Sequence, residues 1–447
     1  MTTLLDNIPL SEPKAFRQHL NSVPLTFQII KERAWERYKN IPRPSRKDEL
    51  WRYSNLSGYH PESNGIGFLE NHKTEFDFDT KRFKCLKNYS DEIIFFDGAN
   101  FSQSTHSGEK QETGVVFMCI AEAMEKHPDR LIPLLKKSIP DLGSKKFSAL
   151  HQAYFQNGIY FHVPPEVSLE KPFVAYHWFS RTNCTQFPFT IIDISENAKA
   201  QFIDFYLTAD DDDNLSEGSP FVINKTLIHA GAGSKVSTYS VQSLSPKSQY
   251  MQLVNSEAER DSHLQSTSVH LGTAKARQEN HIALKGSGAQ VHSFSLTVAT
   301  GKQEFDQRTF QSHQAEHTYS NLLYKNALFE NARTIFSGLI HVKPQGQHTD
   351  AYQTNRNLLL NPEAEAISMP GLEIGANEVK CSHGATTGQI DESELFYMLS
   401  RGIPPAKAKE LLVFGFFEEI ISKIEDPSLQ ELLRILILEK FSNKSYL

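Results

Sequence analysis

The residues best suited to chemistry in this sequence are a cysteine and a histidine two positions apart, Cys381 and His383. If their segment is a strand, the two side chains lie on the same side of it, roughly 6–7 Å apart. Thiolate and imidazole both bind iron and zinc, but two ligands cannot complete a tetrahedral site. Any metal here therefore needs further ligands from a neighbouring strand, from sulfide or from another chain. A purely structural alternative is that both side chains continue the face of Val379 into the core.

The chain lacks the signatures of several enzyme classes. It contains neither a GxxxxGK[ST] phosphate loop nor a GxSxG nucleophile elbow. Residues 313–317, HQAEH, match the H-x-x-E-H pattern of zinc peptidases, in which a helix places both histidines on one face. The flanking residues are typical of strands, and His313 and His317 in one strand would be about 13 Å apart, too far for one metal ion. We therefore predict no catalytic residues.

Composition argues against several partners and locations. The 46 Lys and Arg residues against 53 Asp and Glu leave a formal charge of −7, which gives no reason to expect a nucleic-acid partner. The cysteines are widely spaced and indicate neither a disulfide framework nor a zinc knuckle: Cys85, Cys119, Cys184 and Cys381. The N-terminus lacks a basic segment with a long apolar segment, and no apolar run of about 18 residues occurs. We expect a cytoplasmic protein that binds neither nucleic acid nor membrane.

The elements that must position Cys381 and His383 fall into three predicted regions. Residues 1–170 form an N-terminal helical and mixed α/β region, residues 171–388 a β core, and residues 389–447 a C-terminal helical domain. In the core, short alternations of polar and apolar residues follow Gly and Asn corners. This imperfect repetition over about 200 residues favours a β-solenoid or β-helix over a sandwich. The predicted fold class is therefore mainly β.

Three local patterns illustrate the expected elements. Residues 25–40 predict a surface helix with one buried stripe and with charged residues such as Lys31 mostly on the other side. The Pro-rich connector that follows carries Trp51 and Tyr53 as apolar anchors. The segment VHSFSLTV predicts a half-buried strand, with its two sets of side chains on opposite faces: His292, Phe294, Leu296 and Val298 against Ser293, Ser295 and Thr297.

Helices return after Gly388. Asp391 and Glu394 resemble a capping box, and Pro405 begins a second helix. That second helix carries apolar residues outside its main stripe, which need to be covered: Leu411, Leu412, Phe414 and Phe416. They pack on the β region or bind a protein partner, and the pattern leaves both possibilities open.

Several segments resemble the SufB/SufD family, the scaffold subunits of the SUF iron-sulfur cluster assembly machinery. They are RKDELWRYSNL at 46–56, the stretches 145–172 and 317–342, and the long run from Thr349 to Pro404. The resemblance spans most of the chain and implies a right-handed parallel β-helix core between helical regions. Within the family the chain is most like SufD. Thr354 stands where SufB-like chains carry a cysteine, which assigns the main sulfur-handling role to a SufB partner.

The resemblance implies a non-catalytic scaffold that builds and transfers nascent clusters with a SufB-like chain and a SufC-like ATPase. The ATPase activity is expected in the SufC partner, bound through Leu411, Phe414 and Phe416 on the C-terminal helices. His383 matches the family histidine, and with Cys381 it is expected at the cluster-assembly interface, as a transient metal ligand shared with the partner chain. No cofactor is expected to bind stably to this chain alone. The iron-sulfur cluster is expected only transiently, in the complex.

Two alternatives remain open. One is a β-helix carbohydrate-active enzyme, which needs two carboxylates a few ångströms apart in a groove. The other is a SufB-like scaffold in which this chain forms a homodimer by itself, because one face can pair isologously with its copy.

Overall fold

Parallel β-strands dominate the chain. The computed structural model describes residues 13–21, 23–61, 64–66, 86, 89–103, 108–110, 113–137, 142–155, 158–180, 184–208 and 220–442. The first described strands are β1 (Gly65–Ile66), β2 (Asp91–Phe96), β3 (Ala99–Gln103), β4 (Gly108–Lys110), β5 (Val115–Cys119), β6 (Gly158–Val163), β7 (Phe173–Phe179), β8 (Cys184–Gln186) and β9 (Phe189–Ile194). The strands that follow are β10 (Lys199–Thr208), β11 (Phe221–Ala230), β12 (Lys235–Ser243), β13 (Gln249–Ala258), β14 (His263–His270), β15 (Lys275–Leu284), β16 (Gln290–Ala299), β17 (Glu304–His313), β18 (Tyr319–Leu328), β19 (Arg333–Val342), β20 (Asp350–Leu359), β21 (Glu365–Ile374) and β22 (Lys380–Gln389).

These strands form two sheets around a common interior. From β9 to β22 the chain alternates between them, so that odd-numbered strands build the first sheet and even-numbered strands build the second. Strands β11 to β22 each pair in parallel with the strand two elements earlier, as Lys235 with Lys199 and Gln389 with Leu359 illustrate. The result is a parallel β-solenoid of about eight turns. The predicted β-helix core of a mainly β protein is confirmed.

The corners between the sheets share one backbone conformation. Six successive corners place a residue with positive φ between an odd strand and the next even strand: Asn197, Gly233, Asp261, Gly288, His317 and His348. Each backbone N–H there donates to a carbonyl of the following turn, as from Asn197 to Ala232 O at 2.8 Å. Gly, Asn and Asp tolerate this conformation best, which explains their recurrence at the corners.

Strand β16 is buried on both faces, so the prediction of a half-buried strand is wrong. Its hydroxyl residues point into the β-helix, where Ser293 Oγ accepts from Asn280 Nδ2 at 2.9 Å and Thr297 Oγ1 accepts from Gln307 Nε2 at 3.1 Å. Its apolar residues point outward but are covered, with Phe294 and Leu296 each 2% exposed or less. The interior of the β-helix is therefore partly polar, and hydrogen bonds across it satisfy some of its buried groups.

The cover over the second sheet comes from the C-terminal helices. They are α6 (Glu392–Ser400), α7 (Pro405–Ile421) and α8 (Pro427–Ser442), and Asp391 caps the first by accepting from the N–H of Ser393 at 2.7 Å. Apolar residues of α7 and α8 join the outward residues of β10 to β18 in one buried cluster. Lys325 of β18 fixes the contact, since its Nζ donates to Phe416 O at 2.7 Å and pairs with Glu419 at 2.5 Å.

The cover over the first sheet comes from the N-terminal helices and the connector. The described helices are α1 (Pro13–Asn21), α2 (Leu25–Asn40), α3 (Ile120–Lys126), α4 (Pro128–Lys136) and α5 (Lys145–Tyr154), with a 3₁₀ turn at Glu49–Trp51. Trp51 is 1% exposed and acts as the predicted anchor, whereas Tyr53 is 37% exposed and does not. No helix among these described segments is both long and apolar enough to cross a membrane.

Lys31 corrects the predicted face of α2. The sequence pattern assigns it to the solvent side, but it is fully buried. Its Nζ donates to the carbonyl oxygens of Ala153 and Phe155, at the end of α5, and lies 3.7 Å from the centroid of the Phe155 ring. Burial lowers the pKa of Lys31 well below its ordinary value. The carbonyls at the end of a helix are a favourable place for such a group.

Candidate functional site

Cys381 and His383 lie on β22, the last strand of the second sheet. The register pairs Cys381 with Ala351 and His383 with Gln353, and both partners are inward-facing residues of β20 that are at most 1% exposed. Because neighbouring parallel strands in register orient paired side chains alike, Cys381 and His383 share the inward side at the end of the β-helix. The prediction that they share one face of a strand agrees with this register.

Cys381 lies at the margin of the terminal core. It is half-buried and packs with Leu372 and Val379 against a small cluster that includes Ile340 and Ala351. Burial raises the pKa of the Cys381 thiol above its ordinary value, and the Asp350 carboxylate raises it further. The thiol is therefore held protonated at neutral pH, which makes it a weak ligand and nucleophile in this state.

His383 is exposed, in contrast to Cys381. It lies beyond Gln353, whose Nε2 donates to Gly338 O at 3.2 Å inside the β-helix. Thr354 pairs with Gly384 in the register and lies on the outer side of β20, away from the face that His383 occupies. The imidazole is thus accessible from the end of the β-helix.

A network of polar side chains fills the interior of the last turn of the β-helix, next to His383. Asn355 Oδ1 accepts from Ser368 Oγ at 2.6 Å and from Asn357 Nδ2 at 2.9 Å. Asn357 also approaches Thr387 Oγ1 of β22 at 3.3 Å. These contacts connect β20, β21 and β22 and hold the last turn together.

The last turn leaves two long strand edges without a partner strand. Strands β21 and β22 are ten residues each and terminate their sheets among the described residues. Most of their residues are half-buried or exposed, and Tyr352 and Ile374 nearby are 41% and 42% exposed. Unpaired strand edges readily pair with another chain. This end of the molecule is therefore suited to binding a second β-protein.

The residues predicted to bind a partner ATPase divide between two environments. Leu411 is 38% exposed on α7, whereas Phe414 and Phe416 are half-buried against the cluster that attaches α7 to the second sheet. Sequence reasoning missed a larger apolar surface on α6, where Phe396 is 72% exposed and Tyr397 is 59% exposed. The apolar run LFYMLS after the helix start was the available signal in the sequence, and the structure adds that α6 has no buried residue.

The H-x-x-E-H segment does not form one strand. His313 ends β17 and faces the interior, where its ring nitrogens contact Thr318 Oγ1 at 2.8 Å and Ser320 Oγ at 2.9 Å. His317 lies at the next corner with φ of 57° and stacks on His348 at 4.7 Å between ring centroids. The prediction that His313 and His317 share one strand is therefore wrong, because the chain turns between the two histidines.

Metal-ligating side chains do not converge elsewhere in the described part of the chain. No group of three or more His, Cys, Asp or Glu side chains there is placed to hold a metal ion. Cys119 and Cys184 are buried and form no disulfide within the described part of the chain, and Cys85 lies outside the described residues. A metal site that used Cys381 and His383 would therefore need its other ligands from outside these residues.

Two family models match this chain. The model described as "SUF system FeS cluster assembly, SufBD core domain" matches residues 177–416, which is more than half of the chain. The model described as "SufBD protein N-terminal region" matches residues 16–174. The core match contains the β-helix up to β22 and extends into α7.

Individual proteins show the same similarity. The iron-sulfur cluster assembly protein SufD of Escherichia coli K12 is 30% identical over 240 residues, covering 54% of this chain and 55% of that protein. SufD of Bacillus subtilis 168 is 22% identical over 405 residues, covering 90% and 91%. A SufBD family protein of Mycobacterium tuberculosis H37Rv is 37% identical over 182 residues, covering 39% and 46%. The chain thus spans about half the length of the first and third of these relatives.

Proposed function

This chain belongs to the SufBD family of the SUF iron-sulfur cluster assembly system, and from that premise we propose that it is a non-catalytic, SufD-like scaffold subunit. It pairs with a SufB-like chain at the end of its β-helix and with a SufC-like ATPase through its C-terminal helices. The nascent iron-sulfur cluster is the cargo of this assembly, held only transiently. The observation that carries the proposal is the placement of His383 and Cys381 on the last strand, next to an unpaired sheet edge.

The end of the β-helix is the proposed site of the SufB-like partner. A partner strand that pairs with β21 or β22 would satisfy the backbone groups at their free edges, as in other strand-addition complexes. The exposed side chains of Tyr352 and Ile374 would add apolar area at the same end. His383 would then face the junction between the two chains.

The cluster site is proposed to form from both chains. His383 is accessible, but burial and Asp350 keep the Cys381 thiol protonated. Binding iron to the thiol requires loss of its proton, which a nearby metal cation favours. Cys381 therefore becomes a ligand only when iron replaces its proton, and the remaining ligands or sulfide come from the partner.

The ATPase site is proposed on α6 and the exposed part of α7. Phe396 and Tyr397 on α6 and Leu411 on α7 are apolar side chains that this chain leaves exposed. Contiguous exposed aromatic and aliphatic groups mark protein interfaces in otherwise polar surfaces. The ion pair between Lys325 and Glu419 couples α7 to the β-helix, so a movement imposed on the helices reaches the second sheet.

A homodimer is the second candidate, since the free edge of β22 can pair with the same edge of a second copy. Anaerobic affinity purification of the tagged chain from its native host distinguishes the two. Recovery of a second SufBD family chain and an ATPase in fixed ratio supports the heteromeric scaffold. Recovery of the chain with only its own untagged copy supports the homodimer. Recovery as a monomer without any of these chains contradicts both candidates.

A further inference from the structure

A cavity lies between the N-terminal helices and the outer face of the first sheet, away from the free edges of β21 and β22. It has a volume of about 510 Å³, is partly open to solvent, and is lined by residues of α2, α4, α5 and strands β9, β11, β13 and β15. This volume falls in the range of small-molecule sites. Its apolar wall includes Leu134, Phe189, Leu227 and Leu253. The cavity takes no part in the proposed scaffold function.

The side chains that line the cavity carry far more positive than negative charge. Six cationic side chains line it: Arg33, Arg37, Lys136, Lys137, Lys145 and Lys225. The one carboxylate among the lining residues, Glu279, is already bound by Arg277 Nε at 2.7 Å and by Ser144 Oγ at 2.6 Å. The positive charge of the lining is therefore not balanced by the cavity's own residues.

Lys225 is the buried cation of this set. It is only 7% exposed, and its Nζ reaches Ser148 Oγ at the long distance of 3.5 Å. No carboxylate of the described residues forms an ion pair with it, in contrast to Lys137, which pairs with Glu257 at 2.5 Å. Burial lowers the pKa of Lys225 to about 8. A buried ammonium without a counter-ion is costly, and a bound anion offsets that cost.

Two buried histidines add acceptor atoms to the same lining. His151 Nε2 contacts Pro188 O at 2.9 Å, which leaves Nδ1 as an acceptor without a partner among the described residues. His281 Nδ1 contacts Asn255 Oδ1 at 2.6 Å, which leaves its Nε2 as a second acceptor without a partner in the described part of the chain. Buried acceptors of this kind are usually satisfied by a protein group, water or a ligand.

From this arrangement we infer that the cavity binds a small amphipathic anion. Its acidic group contacts Lys225 and Arg37, and its apolar body packs against Leu227 and Leu253. A donor group of the same molecule can reach His151 or His281. The acidic group is a carboxylate, sulfonate or phosphate, since each accepts charge-assisted hydrogen bonds from an ammonium and a guanidinium.

The test uses the full chain and two fluorescent probes of similar shape. Anilinonaphthalene sulfonate carries an aromatic body and a negative charge, and N-phenylnaphthylamine has the same body without the charge. We expect saturable binding of the sulfonate at one site, with an affinity well above that of the neutral probe. Lys225→Met should weaken sulfonate binding by about tenfold or more, the loss of one charge-assisted hydrogen bond. It should change binding of the neutral probe little.

Matched variants protect this test against misfolding. Lys225→Met removes an unpaired buried charge, so the variant should unfold at the same or a higher temperature than the native chain. Lys235→Met, at an exposed position on β12, should leave both affinities unchanged. Arg37→Met gives a second, independent loss of sulfonate affinity. The inference is overturned if the sulfonate does not bind saturably, if both probes bind equally, or if Lys225→Met and Arg37→Met bind the sulfonate like the native chain.

Discussion

Arg277 and Asp306 form an ion pair on the outer face of the first sheet, and their side chains are only 0% and 1% exposed. Arg277 also donates through Nε to Glu279 at 2.7 Å, and its guanidinium lies 3.8 Å from the ring centroid of Trp51. Asp306 in turn accepts a hydrogen bond from Ser54. The pair therefore fastens the connector of residues 46–56 to the β-helix.

Removing the carboxylate of this pair should destabilise the protein strongly. Asp306→Ala leaves Arg277 buried with only Glu279 as its counter-ion, and breaking such a pair costs about 3–5 kcal/mol. Urea unfolding of the native chain and of Asp306→Ala measures the difference in their free energies of unfolding. The control is Glu36→Ala, which removes an exposed ion pair with Lys39 on α2 and should cost less than about 1 kcal/mol. Equal losses for both variants would contradict the structural role of the buried pair.

His383→Ala should abolish cluster maturation without unfolding the chain. The imidazole is exposed, so its removal costs the fold little, but the proposed junction loses a metal ligand. The measurement is the activity of client iron-sulfur enzymes in cells that depend on the variant, which should fall by about tenfold or more. Ser382→Ala, on the opposite face of the same strand, should retain normal activity. Normal client activity with His383→Ala would rule out the proposed role.

A charge on α6 should weaken binding of the ATPase partner. Phe396→Asp places a carboxylate in the most exposed part of the apolar helix surface and should reduce co-purification of the ATPase by about tenfold or more. Leu25→Asp makes a similar change at an apolar residue that is 79% exposed on α2, and co-purification should be unaffected. If both variants retain the partner equally, the ATPase does not bind this surface.

Phe416→Asp should destabilise the fold itself, whereas Phe396→Asp should weaken only the binding of the partner. Phe416 packs between α7 and the second sheet, and the Lys325 Nζ lies 4.8 Å from the centroid of its ring. The substitution removes the ring, its apolar packing and its contact with the Lys325 ammonium, so the free energy of unfolding should fall by about 2–4 kcal/mol. Thermal unfolding of both variants is the measurement. Phe416→Asp should unfold at a lower temperature than the native chain, and Phe396→Asp should not.

Stability should fall as the pH drops below about 6.5, in part because of His313. Burial lowers the pKa of His313 to about 3, so the unfolded chain binds a proton near pH 6.5 that the folded chain does not accept until about pH 3. Between pH 6 and 4 this group contributes a slope of about 1.4 kcal/mol per pH unit. Urea unfolding of His313→Gln at several pH values should show a smaller slope by that amount. Thr318→Val removes a hydrogen-bond partner of the ring but keeps the titrating group, so the slope should persist.

The repeating part of the fold could be predicted from the sequence because its signals are local. Alternation with a period of two shows which residues of a strand share a face, as it did for Cys381 and His383. Small residues with positive φ, such as Asn197 and Gly233, show where the chain turns. The helix start at Asp391 is local in the same sense, because a side chain caps the N–H groups two and three positions away.

The sequence by itself therefore determined the β-helix, its corners and the common face of the cysteine and histidine. Only the tertiary structure decided which faces are covered, because the covering elements lie far away in the chain. Phe294 of β16 is buried by Ile420 of α7, and Lys31 is buried at carbonyl oxygens more than a hundred residues later. Phe416 is held against Lys325 while Phe396 stays exposed, although both are aromatic residues of C-terminal helices. The spacing of apolar residues along a strand or helix shows which side chains share a face, whereas their burial depends on which other elements pack against that face.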